Sequence, residues 1–263
     1  MARPGGGLSV ECPAVAAAGI EELANRLRAD PRLAVLTGAG VSAASGVPTF
    51  RGTDGLWKQY RPDQLATSEA FARDPRLVWG WYDWRRQRIA ACQPNRAHHV
   101  LAAWSRRYPH FTLITQNVDG LHERAGTLEV IRFHGSLWEV ACWRHCPASP
   151  PRWRDDDVPL RAIPPRCPYC GGLIRPAVVW FGEPIDAAVL DRCLEATRCD
   201  VFLTIGTSAV VYPAASLVEA ARRHGAFTVE INVEPTPASA SVDLVLHGPA
   251  ERILDELQAT ARP

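Results

Sequence analysis

The sequence predicts an α/β fold, in which a doubly wound parallel sheet carries a smaller inserted module and a separate helical region. Three observations support this. Short apolar runs alternate with helix-like segments, small or polar residues follow these runs, and a Pro- and Arg-rich stretch bounded by cysteine pairs interrupts the alternation. Alternating strands and helices favour a parallel sheet that helices cover on both faces, which is a Rossmann-like arrangement.

Six apolar runs rich in β-branched residues predict the strands. They are LAVLT (33–37), FTLIT (111–115), VIRF (130–133), VFLTI (201–205), FTVEI (227–231) and DLVLH (243–247). Helix-like segments between them lie at 20–29, 187–197 and 214–225. The continuations after five of the strands are GAG, QNVDG, HGS, GTS and NVE. Because ligands of doubly wound sheets bind beyond the carboxyl ends of the strands, these segments predict the binding site.

Length and composition limit the alternatives. The 263 residues fit one large domain, or one domain with an insertion, and the formal charge of +1 argues against sequence-independent binding to nucleic acid. No apolar run approaches the length of a membrane span. Glu11 and Pro13 interrupt the apolar residues near the N-terminus, so we expect no signal peptide there. We therefore expect a cytoplasmic protein with reduced cysteines.

The first chemical motif is the glycine turn after the first strand, within residues 33–52. Gly38, Gly40 and Ala43 match a spacing that lets the backbone approach a pyrophosphate. A hydride-transfer enzyme would also need an acidic residue at the end of its second strand, whereas Asp54 lies in a Gly-rich loop. Arg51 supplies charge to a phosphate or is a solvated loop residue.

The second motif is the insertion. Cys142 and Cys146 precede Cys167 and Cys170 by about twenty residues, a spacing typical of a closed tetrahedral zinc site. The first pair is Cys-x3-Cys, so His145 is an alternative ligand to Cys146, although thiolates dominate such sites. Two disulfides are a further alternative, which a reducing compartment disfavours.

The third motif lies after the second and third predicted strands. Asn117 and Asp119 follow one strand, and His134 follows the next. A lone histidine is commonly structural. Between the polar loops of two adjacent strands, however, His134 becomes a candidate general base.

The stretch VWGWYDWRRQR (78–88) places Tyr82 and Arg85 at i and i+3, on one face of a helix. Tryptophans surround them at 79, 81 and 84. Arg85 either snorkels out of an apolar patch or faces an anion inside one.

These motifs occur in a defined order. GAGVSAASGVPTFRG (38–52), WYDWRR (81–86), TQNVDGLH (115–122), FHGS (133–136), the four-cysteine insertion, VVWFGE (178–183), GTS (206–208) and INVE (231–234) follow one another along the chain. In this order they resemble the sirtuin family, over about residues 20–258. WYDWRR is similar to the Tyr-x-x-Arg signature of the class III members, which remove acidic acyl groups. Ala66, in LATSEAF (65–71), stands where that branch has a small residue that widens the acyl pocket.

The resemblance implies an NAD-dependent protein lysine deacylase with acyl-lysine proteins as substrates, NAD as co-substrate and one structural Zn²⁺. The acyl-lysine carbonyl oxygen attacks C1′ of the nicotinamide ribose, nicotinamide leaves, and water then yields lysine and O-acyl-ADP-ribose. The class III signature implies succinyl, malonyl and glutaryl groups, with acetyl also accepted. A protein mono-ADP-ribosyltransferase is the alternative, and a non-enzymatic zinc-ribbon or NAD-sensing module is a third. We expect neither membrane association nor direct sequence-specific binding to nucleic acid.

The resemblance also implies roles for individual residues. His134 stands at the position of the catalytic base, and Asn117 is implied to assist. The cofactor-binding positions are Gly38, Ala39, Gly40, Phe50, Arg51, Trp57, Gln116, Asn117, Asp119, Gly206, Thr207, Ser208, Asn232, Glu234 and Ala250. The substrate-binding positions are Ala66, Tyr82, Arg85, Val179, Trp180, Phe181, Gly182 and Glu183. The zinc ligands are Cys142, Cys146, Cys167 and Cys170.

In this reading the helix at 78–88 turns Tyr82 and Arg85 inward, toward a terminal carboxylate. The guanidinium offers two parallel hydrogen bonds and the phenol a third. The whole chain is then one sirtuin-type catalytic domain with two parts. The large NAD-binding part comprises about 20–50, 95–137 and 185–258. The small part comprises a helical cofactor-loop region at about 51–94 and the zinc module at about 138–180.

Overall fold

The main sheet of the computed structural model, which describes residues 13–49 and 61–261, has six parallel strands. Its strands are β1 (Leu33–Thr37), β2 (Phe111–Thr115), β3 (Val130–Arg132), β7 (Val201–Ile205), β8 (Phe227–Asn232) and β9 (Leu244–His247). Their order across the sheet is β3-β2-β1-β7-β8-β9, the doubly wound order in which the direction of winding reverses beside β1. The predicted fold class is therefore confirmed.

The bounds of β1, β2 and β7 agree with the apolar runs in the sequence. β3 ends one residue early, β8 continues to Asn232, and β9 begins one residue late. In β1, Leu33 and Val35 join one buried cluster, while Ala34 and Leu36 join another on the opposite face. Burial on both faces explains why these strands read as continuous apolar runs.

Some helices of the described residues cover the two faces of this sheet, and others pack on the second sheet described below. They are α1 (Pro13–Arg28), a 3-10 helix (Ala39–Ser45), α2 (Pro62–Leu65), α3 (Ser68–Arg73), α4 (Pro75–Ala91), α5 (Arg96–Arg107), α6 (Leu121–Arg124), α7 (Ala187–Ala196), α8 (Ser216–Arg223) and α9 (Ala250–Thr260). α1, α5 and α9 bury side chains in one cluster, and α7 and α8 bury theirs in the other. α1 begins seven residues before the helix-like segment that the sequence indicated. Within the described ranges, no helix has the length and apolar character that crossing a bilayer requires.

The carboxyl ends of four central strands lie level with one another. Thr37 of β1 pairs with Thr115 of β2 and with Ile205 of β7, and Ile205 pairs with Ile231 of β8. The loops that leave these strands therefore start from one edge of the sheet.

A second sheet is formed by one short strand inside the insertion and two strands that flank it. β4 (Gly135–Cys142), β5 (Trp153–Arg154) and β6 (Ile174–Val178) are antiparallel in the order β5-β4-β6. Gly135 is the first residue of β4, where the chain passes from the main sheet to the second sheet. It has φ of 79°, and a Cβ there would lie 2.1 Å from the Ala177 carbonyl oxygen, so only glycine fits. A third buried cluster joins this sheet to α3 and α4.

Candidate active site and zinc centre

A cavity of about 830 Å³ opens where the loops of the main sheet meet the second sheet and α4. Nine predicted cofactor residues line it: Gly38, Ala39, Gly40, Gln116, Asn117, Thr207, Ser208, Asn232 and Glu234. The predicted base and all predicted substrate residues also line it: His134, Ala66, Tyr82, Arg85, Val179, Trp180, Phe181, Gly182 and Glu183. Residues from six separate regions of the sequence therefore face one space.

Three predicted cofactor residues lie outside the cavity wall. Asp119 is 4% exposed, Ala250 is buried at the start of α9, and Gly206 lies beneath the glycine turn. Phe50, Arg51 and Trp57 lie outside the described residues.

The glycine turn packs directly on the loop after β7. A Cβ on Gly38 would lie 2.8 Å from the Gly206 carbonyl oxygen, and one on Gly40 would lie 2.7 Å from the Gly206 Cα. Gly40 N also donates to the Gly206 carbonyl at 2.8 Å. The missing side chains thus let two strand-end loops touch, which places both loops on one wall of the cavity.

His134 has a defined tautomer. Its Nδ1 lies 3.1 Å from the Gln116 carbonyl oxygen, which can only accept, so Nδ1 carries the proton and Nε2 keeps its lone pair. Burial lowers the pKa of the His134 imidazole, against a smaller opposite effect of this hydrogen bond. At neutral pH the side chain is therefore an uncharged base.

Asn117 is held by a buried network beneath the glycine turn. Its Nδ2 donates to the Gly38 carbonyl at 3.0 Å and to the Ser42 hydroxyl at 3.2 Å, and Ser42 donates to Asp119 at 2.8 Å. Burial raises the pKa of the Asp119 carboxyl, opposed by the hydrogen bonds from Leu121 N and Ser42. The network fixes the amide of Asn117 at the cavity wall. Asp119 is buried and supports this amide indirectly, through its hydrogen bond with Ser42.

Two buried histidines extend this network, and the sequence did not single them out. Asn95 N donates to Nδ1 of His98, so the His98 Nε2–H points to the Ser42 hydroxyl, 3.3 Å away. The His122 ring lies 4.8 Å from that of His98, and its Nε2 is 3.0 Å from Thr37 Oγ1. Burial lowers the pKa of His98 to about 2 and that of His122 to about 3, so both are neutral. His98 had a sequence signal, the helix-capping pair that it forms with Asn95 at the start of α5.

Tyr82 and Arg85 face the cavity from α4, with exposures of 2% and 7%. The predicted helix and the shared face are both confirmed. The Arg85 guanidinium carbon lies 4.8 Å from the Trp81 ring centroid and 5.9 Å from that of Tyr82. Burial lowers the pKa of Arg85, opposed by the fields of Tyr82 and Asp119. Arg85 is therefore a buried arginine in the cavity wall and not one whose charged group extends from the surface into water.

The segment 178–183 forms part of the cavity wall. Val179 N donates to the His134 carbonyl at 3.0 Å, and Phe181 N donates to the Ala66 carbonyl at 2.9 Å. The Glu183 carboxylate accepts from Arg175, Ser68 and the Trp180 backbone N–H. The hydrogen bonds from these groups lower the pKa of Glu183 although burial acts in the opposite direction.

The four predicted cysteines form one cluster. Cys142 Sγ lies 3.7 Å from Cys170 Sγ, Cys146 Sγ lies 3.9 Å from Cys167 Sγ, and all four sulfurs lie within 4.8 Å of one another. These separations exceed the ~2.05 Å of a disulfide bond. They fit the ~3.8 Å edge of a tetrahedron whose centre is ~2.3 Å from each sulfur, as in a closed zinc–thiolate site. His145 is exposed and outside the cluster, so the fourth position belongs to Cys146.

Most of the chain is similar to proteins of one family. The model of the Sir2 family matches residues 38–213. An NAD-dependent protein deacylase of Aquifex aeolicus is 51% identical over 213 residues, which cover 81% of this chain and 87% of that protein. A solved Sir2 homologue in complex with NAD is 45% identical and has a TM-score of 0.84. The match covers 92% of this chain and 93% of that one. A Sir2 protein with a deacetylated p53 peptide and 3′-O-acetyl-ADP-ribose is 30% identical, with a TM-score of 0.82, and the match covers 91% of this chain and 97% of that one.

Proposed function

The chain belongs to the Sir2, or sirtuin, family, and from this premise we propose that it is an NAD-dependent protein lysine deacylase of the class III type. Its proposed substrates are protein lysines that carry succinyl, malonyl or glutaryl groups, with acetyl as a poorer substrate. One observation carries the proposal: the same cavity is lined by a neutral histidine base and, on α4, by a buried Arg85 beside Tyr82.

The residues present suit NAD as the co-substrate. Ser208, Asn232 and Glu234 line the cavity and carry hydroxyl, amide and carboxylate groups, which suit the hydroxyls of a ribose. The Asn232 side chain donates to the Thr207 carbonyl at 2.8 Å, and Gln116 donates to the Thr207 hydroxyl at 2.9 Å. These bonds orient the loop after β7. Bound NAD supplies an activated ribose carbon from which nicotinamide departs.

His134 acts as the general base in this proposal. Its Nε2 accepts a proton from a ribose hydroxyl, while the Nδ1–H bond to the Gln116 carbonyl keeps the ring in place. Asn117 presents its amide at the same wall, with its orientation fixed by Gly38 and Ser42. Residues 179–183 bind the substrate backbone as an added strand, so selectivity for the peptide sequence is low.

The acyl group extends toward α4. Arg85 binds the terminal carboxylate and Tyr82 donates a further hydrogen bond, while Ala66 leaves room for the chain. The four-cysteine site holds one Zn²⁺ that supports the second sheet and takes no part in the reaction. We also propose the division of the domain into a large and a small part, which the separate buried cluster of the second sheet supports.

The test is nicotinamide release from matched acetyl-, malonyl-, succinyl- and glutaryl-lysine peptides, with O-acyl-ADP-ribose measured alongside. We expect higher kcat/KM for the acidic acyl groups. A clear preference for acetyl-lysine would contradict the class III assignment. ADP-ribosylated protein without O-acyl-ADP-ribose would contradict the deacylase itself.

A further inference from the structure

The indole of Trp180 makes a direct hydrogen bond to the phenol that faces the cavity. Trp180 is 2% exposed, and its Nε1 lies 2.9 Å from the Tyr82 hydroxyl oxygen. An indole N–H can only donate. The phenol oxygen is therefore the acceptor in this bond, and the phenol proton points elsewhere.

The indole is held from several sides. The Arg175 guanidinium carbon lies 3.7 Å from the Trp180 ring centroid, and Arg175 also binds both carboxylate oxygens of Glu183. The Glu183 Oε2 atom accepts the Trp180 backbone N–H at 2.9 Å. The Phe71 ring packs 5.3 Å from the indole. A ring fixed by stacking, packing and its own backbone bond has little freedom to turn its N–H away from Tyr82.

The hydroxyl hydrogen of Tyr82 needs an acceptor other than Trp180 or Arg85. Arg85, its charged neighbour, offers donors only and cannot accept it. Burial raises the pKa of Tyr82, so the phenol keeps its proton at neutral pH, although the nearby Arg85 opposes this effect. Tyr82 and Arg85 both line the cavity, so an acceptor placed there between them meets the phenol proton.

We propose that Trp180 is a specificity-determining positioning residue, whose indole N–H occupies the Tyr82 oxygen and makes the phenol a one-way donor toward an acidic acyl group. The inference rests on the proposed acidic-acyl deacylase activity and adds one residue to its recognition. Without the indole, the phenol proton is free to sample other directions, and part of the pre-organisation for a carboxylate is lost.

The experiment is a double-mutant cycle read as the ratio of kcat/KM for succinyl-lysine to that for acetyl-lysine. Trp180→Phe removes the N–H and keeps an aromatic ring. We expect it to lower the ratio about 3- to 10-fold, the effect of one ordinary hydrogen bond. In a Tyr82→Phe background the same substitution is expected to change the ratio less than about 2-fold, because the group it acts through is gone.

Two further variants separate this role from general packing. Trp143→Phe changes an indole of the same aromatic cluster, 6.3 Å from the Trp180 ring, and is expected to leave the ratio unchanged. Arg175→Lys loosens the stack and keeps the indole N–H, so it should lower the ratio only when Tyr82 is present. Melting temperatures of all variants accompany the kinetics.

Two results would overturn the inference while leaving the proposed function intact: equal losses on both peptides in Trp180→Phe, or an undiminished effect of that change in the Tyr82→Phe background. A wild-type enzyme with no preference for succinyl-lysine would instead refute the acyl preference on which the inference depends. The two failures are therefore distinguishable.

Discussion

Replacing Arg85 by methionine tests the acyl preference most directly. Methionine keeps an unbranched apolar stem of similar reach in a wall formed by Trp81 and Tyr82, so packing is largely retained. The substitution removes the positive charge and the N–H donors of the guanidinium group. We expect a large fall in kcat/KM for succinyl-lysine and a small one for acetyl-lysine.

The magnitude follows from the surroundings of Arg85. The side chain is 7% exposed, and burial lowers its pKa, so water solvates the guanidinium poorly. A carboxylate that loses such a partner is left buried and uncompensated, which costs about 2–4 kcal/mol. The corresponding fall for succinyl-lysine is ~30- to 1,000-fold. Acetyl-lysine has no carboxylate, so its kcat/KM should change less than ~3-fold.

The assay is steady-state nicotinamide release on both peptides, with melting curves for each protein. Arg88→Met is the matched control, since Arg88 is exposed on the same helix, over Trp84 rather than the cavity. It should leave both substrates unchanged. If Arg85→Met lowers both substrates by the same factor, Arg85 is structural and the class III assignment falls.

Three other outcomes are expected. His134→Ala should lower kcat about 10²- to 10⁴-fold while calorimetry still detects NAD binding, and near-wild-type turnover would remove His134 from the role of base. Burial lowers the pKa of His134, and the base must be unprotonated to act. As the pH is lowered, kcat/KM should therefore begin to decrease only below about 6.5, the ordinary pKa of histidine. Elemental analysis should find one zinc per chain. Cys167→Ser should lose the zinc and lower the Tm, whereas His145→Ala should keep the zinc and the wild-type Tm. The opposite pattern would make His145 a zinc ligand.

The central strands β1 and β7 were predictable because they are buried on both faces, which gives a continuous apolar run in the sequence. LAVLT and VFLTI are buried at every position, and the strands begin and end with the runs. β4 left no such mark. Its Glu139 binds Arg132, and the rest of the strand packs on both sides, so the sequence GSLWEVAC shows neither alternation nor a continuous apolar run. β6 contains Arg175 and Pro176, which are poor strand signals.

At the site, the residues after the strands were predictable because parallel strands deliver their carboxyl ends to one edge. The buried hydrogen bonds that hold these residues in place were not predictable from the sequence. The contact of His98 with Ser42 depends on which face α5 turns toward the glycine turn, and that orientation is set by packing between distant segments. Trp180 was predicted to bind substrate, but its bond to Tyr82 joins residues 98 positions apart and has no local signal.

The bond between Val179 N and the His134 carbonyl has a consequence for how varied peptides are handled. In the proposed function, a peptide binds along residues 179–183, a segment that one hydrogen bond joins to the backbone of the histidine itself. This bond ties the proposed peptide-binding segment directly to the backbone of the proposed base. If the proposal is right, the position of the substrate lysine relative to His134 is set by the backbone and depends little on the side chains that flank the lysine.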